Sequence, residues 1–251
     1  MRLIINADDF GFSDGVCDGI LQAMRCRRVS STSAMVCVPG SRERLARAAG
    51  ELQGRVGVHL QLTNGRPRLP PETIPSLVDT DGRFPRHTIT DVSASEVECE
   101  WRAQIDCLRA LGLQPTHLDT HRHVHRDPPL LEVAATLARE TGTALRGLSP
   151  AMICRLRARG VRCADACVED WFGGDLTAQG LASVLARAAA WMHRSAVVEL
   201  MCHPGIVDDA LRTSSRYVTE REQELATLCS DELPRLLNGL DITIVPMSEL
   251  R

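Results

Sequence analysis

Four of the chain's eight histidines fall within nine residues, His117-Leu118-Asp119-Thr120-His121-Arg122-His123-Val124-His125. Read as an extended segment, the run puts His117, Asp119, His121, His123 and His125 on one face and Leu118, Thr120, Arg122 and Val124 on the other. A face of imidazoles and a carboxylate is a poor packing surface, because buried polar groups need partners. A metal ion, an acid/base site or a polar ligand supplies them. Other polar residues interrupt or end apolar runs elsewhere: Asp8 and Asp9 close an Ile-rich stretch, His59 lies within Val56-Gly57-Val58-His59-Leu60, and His203 follows Ala196 to Cys202. An aspartate and histidines drawn from separate strands match an open divalent-metal site, with three protein ligands and water in the remaining positions.

The elements that must position these residues follow from hydrophobic periodicity. Residues 2 to 7 read as a buried strand, and Ser13 can cap a helix over about 14 to 28 that carries Val16, Ile20, Ala23 and Met24 on one face. A strand from Ser33 to Val38, a helix over 41 to 52 and a strand from Val56 to Leu60 come next. This alternation predicts an α/β fold with parallel strands and helices outside, either an open sheet or a barrel. In such folds the C-terminal strand ends gather on one face, where active sites are built.

The rhythm breaks between Thr63 and Asp91, where Pro67, Pro70, Pro71, Pro75 and Pro85 predict a long functional loop, a lid or binding wall. A helix from Ser93 to Leu111 presents Val97, Trp101, Ile105 and Leu108 as a stripe. After the histidine strand, a helix runs from Pro128 to about Glu140, and Ala144 to Arg146 can form a short strand. Residues 149 to 176 read as a helix and an irregular excursion. A helix over Thr177 to His193, the strand Ala196 to Cys202, a helix over 219 to 238 and a strand from Ile242 to Val245 complete the chain. With no repeat, low-complexity run or linker, residues 1–251 are expected to form a single domain.

Composition removes several function classes. The formal net charge is -3, which gives no electrostatic case for nucleic acid. All 29 basic residues are arginine. A lysine Schiff base, a pyridoxal-phosphate lysine and a P-loop lysine are therefore excluded. The ten cysteines include no CxxC pair, and even the closest group, Cys154, Cys163 and Cys167, lacks tight metal-ligand spacing. Reduced thiols, the lack of a signal-like apolar run after Met1 and the lack of a membrane-span-length apolar stretch predict a cytoplasmic protein with no membrane span.

Taken in order, Ile5-Asn6-Ala7-Asp8-Asp9-Phe10-Gly11, Ser31-Thr32-Ser33, Val58-His59-Leu60, Thr116 through His125 and Cys202-His203-Pro204-Gly205 resemble the successive motifs of the YdjC-like carbohydrate deacetylases. That family includes chitooligosaccharide deacetylases and hopanoid-associated deacetylases. The resemblance runs from residue 3 to at least residue 205. It implies a distorted α/β barrel related to polysaccharide deacetylases, a metal held by Asp9, His59 and His121, and Asp8 as the catalytic base. Arg122 stands where family members often carry Gln or His.

The expected reaction is hydrolysis of an N-acetyl group on a sugar or oligosaccharide. A bound metal would acidify water and polarise the carbonyl. Asp8 would take the water's proton, and His203, from another strand end, is the candidate acid for the departing amine. His123, His125, Arg146 and Tyr217 are candidate substrate contacts, and Asp119 can orient a histidine. One divalent ion is expected: zinc by ligand preference, magnesium by the family resemblance. A metal-dependent phosphoesterase and a non-catalytic carbohydrate-binding relative are the alternatives. Self-association into a homo-oligomer is compatible with the sequence.

Overall fold

Eight parallel strands alternate with helices in the computed structural model, which describes residues 1–87 and 90–250. In chain order the elements are β1 (Arg2–Phe10), α1 (Asp14–Arg25), β2 (Ser31–Ala34), α2 (Ser41–Leu52), β3 (Val56–Leu60), α3 (Ala94–Arg109), β4 (His117–Thr120), α4 (Pro128–Thr141) and β5 (Ala144–Leu145). They continue as α5 (Pro150–Ala158), β6 (Ala166–Val168), α6 (Ala178–Trp191), β7 (Val197–Cys202), α7 (Asp209–Ser214), α8 (Thr219–Leu228), α9 (Glu232–Gly239) and β8 (Thr243–Ile244). The strand order is β5-β4-β3-β2-β1-β7-β6, with β8 paired to the start of β1. The sheet curls into a distorted barrel, and across the gap between β5 and β6 the Leu145 N–H donates to the Arg162 carbonyl at 2.9 Å. Among the described residues no helix is long and apolar enough to cross a membrane.

β1 is the central strand, buried at every residue but Arg2. The expected apolar stripes face the core: Val16, Ile20, Ala23 and Met24 on α1, and Val97, Trp101, Ile105 and Leu108 on α3. Burying one such side chain contributes roughly 1.5–3 kcal/mol. Ser13 caps α1 by accepting the Val16 N–H at 3.2 Å. Gly19 lets α1 approach the turn after β7, since a Cβ there would stand 2.6 Å from Gly205 Cα. The backbone that carries His203 is therefore seated directly on α1.

Several expected boundaries shift for identifiable reasons. β2 covers Ser31–Ala34 rather than 33 to 38. The helix expected over 219 to 238 is two helices, α8 and α9, separated at Cys229–Asp231. The excursion at 149 to 176 contains α5 and β6. The histidine run is not one extended strand: β4 stops at Thr120, and Arg122 (φ 59°) and His123 (φ 53°) are left-handed. His125 folds back so that its N–H donates to Thr120 Oγ1 at 3.3 Å. The Pro-rich segment contains two 3-10 turns, Pro71–Thr73 and Pro75–Leu77. The buried Glu100 carboxylate of α3 pins that segment by accepting the Arg68 and Leu69 N–H groups at 2.9 Å. Thr88 and Ile89, which belong to the same segment, lie outside the described residues.

Candidate active site

A bulge at the end of β1 brings two consecutive aspartates into one place. Ala7 pairs with Thr32 and Phe10 with Ala34, so β1 takes three steps where β2 takes two. Neighbouring residues of a regular strand point to opposite faces. The extra residue and the left-handed Asp9 (φ 73°) cancel that alternation, and both carboxylates line a cleft of about 700 Å³. Asp9 is a non-glycine residue in a costly conformation at a polar cleft, a common location for such strain.

Asp9, His59 and His121 meet there. Asp9 Oδ1 is 3.4 Å from His59 Nε2 and 3.4 Å from His121 Nδ1, and the two nitrogens are themselves 3.4 Å apart. Asp9 Oδ1 is buried without a hydrogen-bond partner, whereas Oδ2 accepts from Arg221 Nη2 at 2.6 Å. Three donor atoms at the corners of a 3.4 Å triangle, one of them orphaned, fit a divalent cation. Ligands held tetrahedrally at about 2.0–2.1 Å stand about 3.3–3.4 Å from one another. A second compact group, Asp8, His59 and Asp119, already contains a cation, because Arg146 Nη2 lies 2.7 Å from Asp8 Oδ1 and 2.8 Å from Asp119 Oδ2.

Arg146 is the hub beneath the site. Its Nη1 and Nη2 donate to the two oxygens of Asp8 at 2.7 Å each, and its Nε donates to Glu199 at 2.7 Å. Arg146 was expected to hold sugar hydroxyls, but it is 2% exposed and does not line the cleft, so it binds carboxylates instead. Burial pushes Asp8 up, and the Arg146 guanidinium outweighs it and holds the carboxyl below its usual range. Burial and Arg221 oppose each other in the same way at Asp9, which ends well below its usual range. Burial pulls His59 down, yet Asp119 overcomes it and raises the ring to about 9. The carboxylates of Asp8, Asp9, Asp119 and Glu199 thus face the guanidiniums of Arg146 and Arg221 and the ring of His59.

His203 leaves β7 level with Asp8, because Ala7 and Cys202 are register partners. It lines the cleft, its Nδ1 is buried and unpaired, and burial lowers its pKa to about 4. Its backbone N–H donates to Glu224, whose other oxygen accepts the Tyr217 hydroxyl at 2.6 Å. Tyr217 lines the cleft and stacks on Phe172, with ring centroids 4.3 Å apart. His123 also reaches the cleft, through the left-handed turn. His125 does not: it is fully buried, 2.5 Å from Thr120 Oγ1 and 3.1 Å from the Arg146 carbonyl, which removes it from any substrate. His117 is buried in the strand, where burial lowers it to about 4.

Asn64, Phe172, Arg221 and Glu224 were missed by the sequence reading, although all but Glu224 line the cleft. Arg221 and Glu224 had a signal. With Leu225 and Leu228 they form the buried stripe of α8, at helical spacing, and two charged residues on such a stripe point to a site. Asn64, 3.2 Å from His121 Nε2, and Phe172 sit in irregular segments with no comparable pattern.

The model of the YdjC-like protein family matches residues 2–239. A protein from Brevibacillus brevis described as a carbohydrate deacetylase is 36% identical over 256 residues, covering 100% of both chains. A solved structure from Enterococcus faecalis, described as a candidate cellobiose-phosphate cleavage protein, is 32% identical with a TM-score of 0.89, covering 98% of this chain and 97% of that one. A family 4 acetyl xylan esterase from Clostridium thermocellum shares the fold at 10% identity, with a TM-score of 0.52 over 99% of this chain and 89% of that one.

Proposed function

The chain belongs to the YdjC-like protein family, and on that premise we propose that it is a metal-dependent carbohydrate deacetylase that removes the N-acetyl group from an N-acetylated sugar or oligosaccharide. The observation that carries this reading is the orphaned Asp9 Oδ1, equidistant from His59 Nε2 and His121 Nδ1, beside the clamped carboxylate of Asp8. Asp9, His59 and His121 would hold the ion, and two imidazoles with one carboxylate support zinc on ligand preference. When bound, the metal lowers the pKa of water and polarises a carbonyl.

The chain's own residues supply the proton handling. Arg146 keeps Asp8 ionised and fixed in direction, so the carboxylate is available to accept a proton from the attacking water. A carboxylate held this low is a weak base, which is why the reaction also needs the water made more acidic. His203, on the adjacent strand end, is the donor to the departing nitrogen. Burial holds this ring near 4, so it is neutral before turnover, and the proton it passes to the nitrogen is the one Asp8 accepts from the attacking water. Tyr217, Phe172 and His123 form the cleft wall against which the sugar would lie.

The phosphoesterase alternative would call for a second ion. The carboxylates that would hold it, Asp8 and Asp119, are committed to Arg146, which favours the deacetylase reading. The test is acetate release from a panel of N-acetylhexosamine mono- and oligosaccharides with zinc, magnesium, cobalt and manganese each supplied in turn. Stoichiometric acetate and free amine are expected. Phosphate release from generic esters with no acetate from any amide would overturn the proposal.

A further inference from the structure

Arg221 is 4% exposed on the first turn of α8 and is among the residues that line the cleft. Two of its donors are fixed: Nη2 donates to Asp9 Oδ2 at 2.6 Å and Nε to the Tyr217 carbonyl at 3.2 Å. The guanidinium is a rigid planar fork, so holding it at two points determines where the third donor aims. The rings of Phe12 and Tyr217 stand 5.8 and 5.9 Å from its central carbon. That third donor, Nη1, is buried and has no partner. A buried donor without an acceptor is unfavourable unless a ligand satisfies it.

We infer that Arg221 Nη1 receives the carbonyl oxygen of the bound N-acyl group and, after cleavage, a carboxylate oxygen of acetate. The inference rests on the deacetylase reading and adds a catalytic residue to it. As the water oxygen gives a proton to Asp8 and bonds to the carbonyl carbon, the carbonyl π pair moves onto the oxygen, and the developing charge meets the Nη1–H. The pair returns as the C–N bond breaks and the nitrogen takes a proton, leaving acetate and amine. A donor already held in place costs no reorganisation at that moment, which is what makes such contacts effective. The same guanidinium leaves Asp9 only one free oxygen, Oδ1, so the arginine and the metal triangle share the carboxylate without competing for an atom.

The variants are Arg221→Gln and Arg221→Lys, the second keeping the charge but losing the fork. Both are checked for a wild-type circular dichroism spectrum. Acetate binding to the metal-loaded protein is measured by calorimetry, metal affinity by chelator competition, and kcat and KM at saturating metal. Acetate affinity should fall by about tenfold or more in both variants, and kcat by about 10²- to 10³-fold with KM little changed. Unchanged acetate affinity, or a wild-type kcat at saturating metal, would show that Arg221 merely positions Asp9 and would overturn the inference. If acetate binds in an Arg221-dependent manner but no N-acetylated sugar is turned over, the acyl-oxygen site stands and the deacetylase reading fails.

Discussion

Asp119 Oδ1 stands 2.8 Å from His59 Nδ1, on the side of the imidazole away from Asp9, and the two residues are register partners on β4 and β3. The carboxylate accepts a hydrogen bond from Nδ1–H and so turns the Nε2 edge of the ring toward the Asp9–His121 pair. Asp119→Asn weakens that bias, and metal affinity should fall about 10- to 100-fold. Chelator competition measures it. An unchanged dissociation constant would show that ring packing alone orients His59.

The bulge divides labour between Asp8 and Asp9. Asp8→Asn keeps a polar group against Arg146 and leaves the Asp9–His59–His121 triangle intact, so the ion should stay bound while kcat falls about 10²- to 10⁴-fold. Asp9→Asn removes the orphaned anionic oxygen, and both metal and turnover should be lost. Metal content by mass spectrometry alongside acetate release separates the two. Equal metal content in both variants would contradict the division.

Much of this arrangement was legible because it depends on strand ends. Asp9, His59 and His121 are far apart in the chain, yet alternating strand and helix patterns place such residues on one rim. What stayed hidden depends on single backbone angles or on charge networks. Asp9, Arg122 and His123 adopt positive φ without being glycine, and no side-chain pattern announces it. Extending the histidine strand through His125 therefore put that residue at the substrate when it is buried beneath. Arg146 reads locally as the end of a short strand. Its role appears only when Asp8, Asp119 and Glu199, from three other strands, converge on it.

Gly57 shows how tightly β3 and β4 are packed below the site. A Cβ at this position would stand 2.5 Å from both His117 Cε1 and the His117 carbonyl oxygen, and the latter is backbone. Gly57→Ala should destabilise the protein by about 1–3 kcal/mol, seen as a lower melting temperature. It should also weaken metal binding, because His59 lies two residues further on. Gly50→Ala is the contrast. Nothing lies within 4 Å of its Cβ position in α2, so melting temperature should rise by the equivalent of about 0.5–1 kcal/mol. A G57A protein as stable as wild type would mean that β4 can yield.

His117 and His125 give the fold a dependence on acid that is separate from the metal. Burial lowers both to about 4, against an ordinary value of 6.5, with the Arg146 charge adding to the effect at His125. Between about pH 6.5 and 4 the unfolded chain binds protons that the folded chain refuses, so stability is complete above that window and falls as pH drops through it. Each fully refused proton contributes a slope of about 1.4 kcal/mol per pH unit. His117→Asn, whose amide can keep the contact that Thr116 Oγ1 makes with Nδ1 at 2.9 Å, removes one such proton. Urea unfolding at pH 7, 6 and 5 should then show the variant losing less stability on acidification than wild type, by about one proton's slope. Taking the difference between the two proteins cancels the carboxylates and the cleft histidines, so parallel curves would mean that His117 titrates in the fold as it does in the unfolded chain.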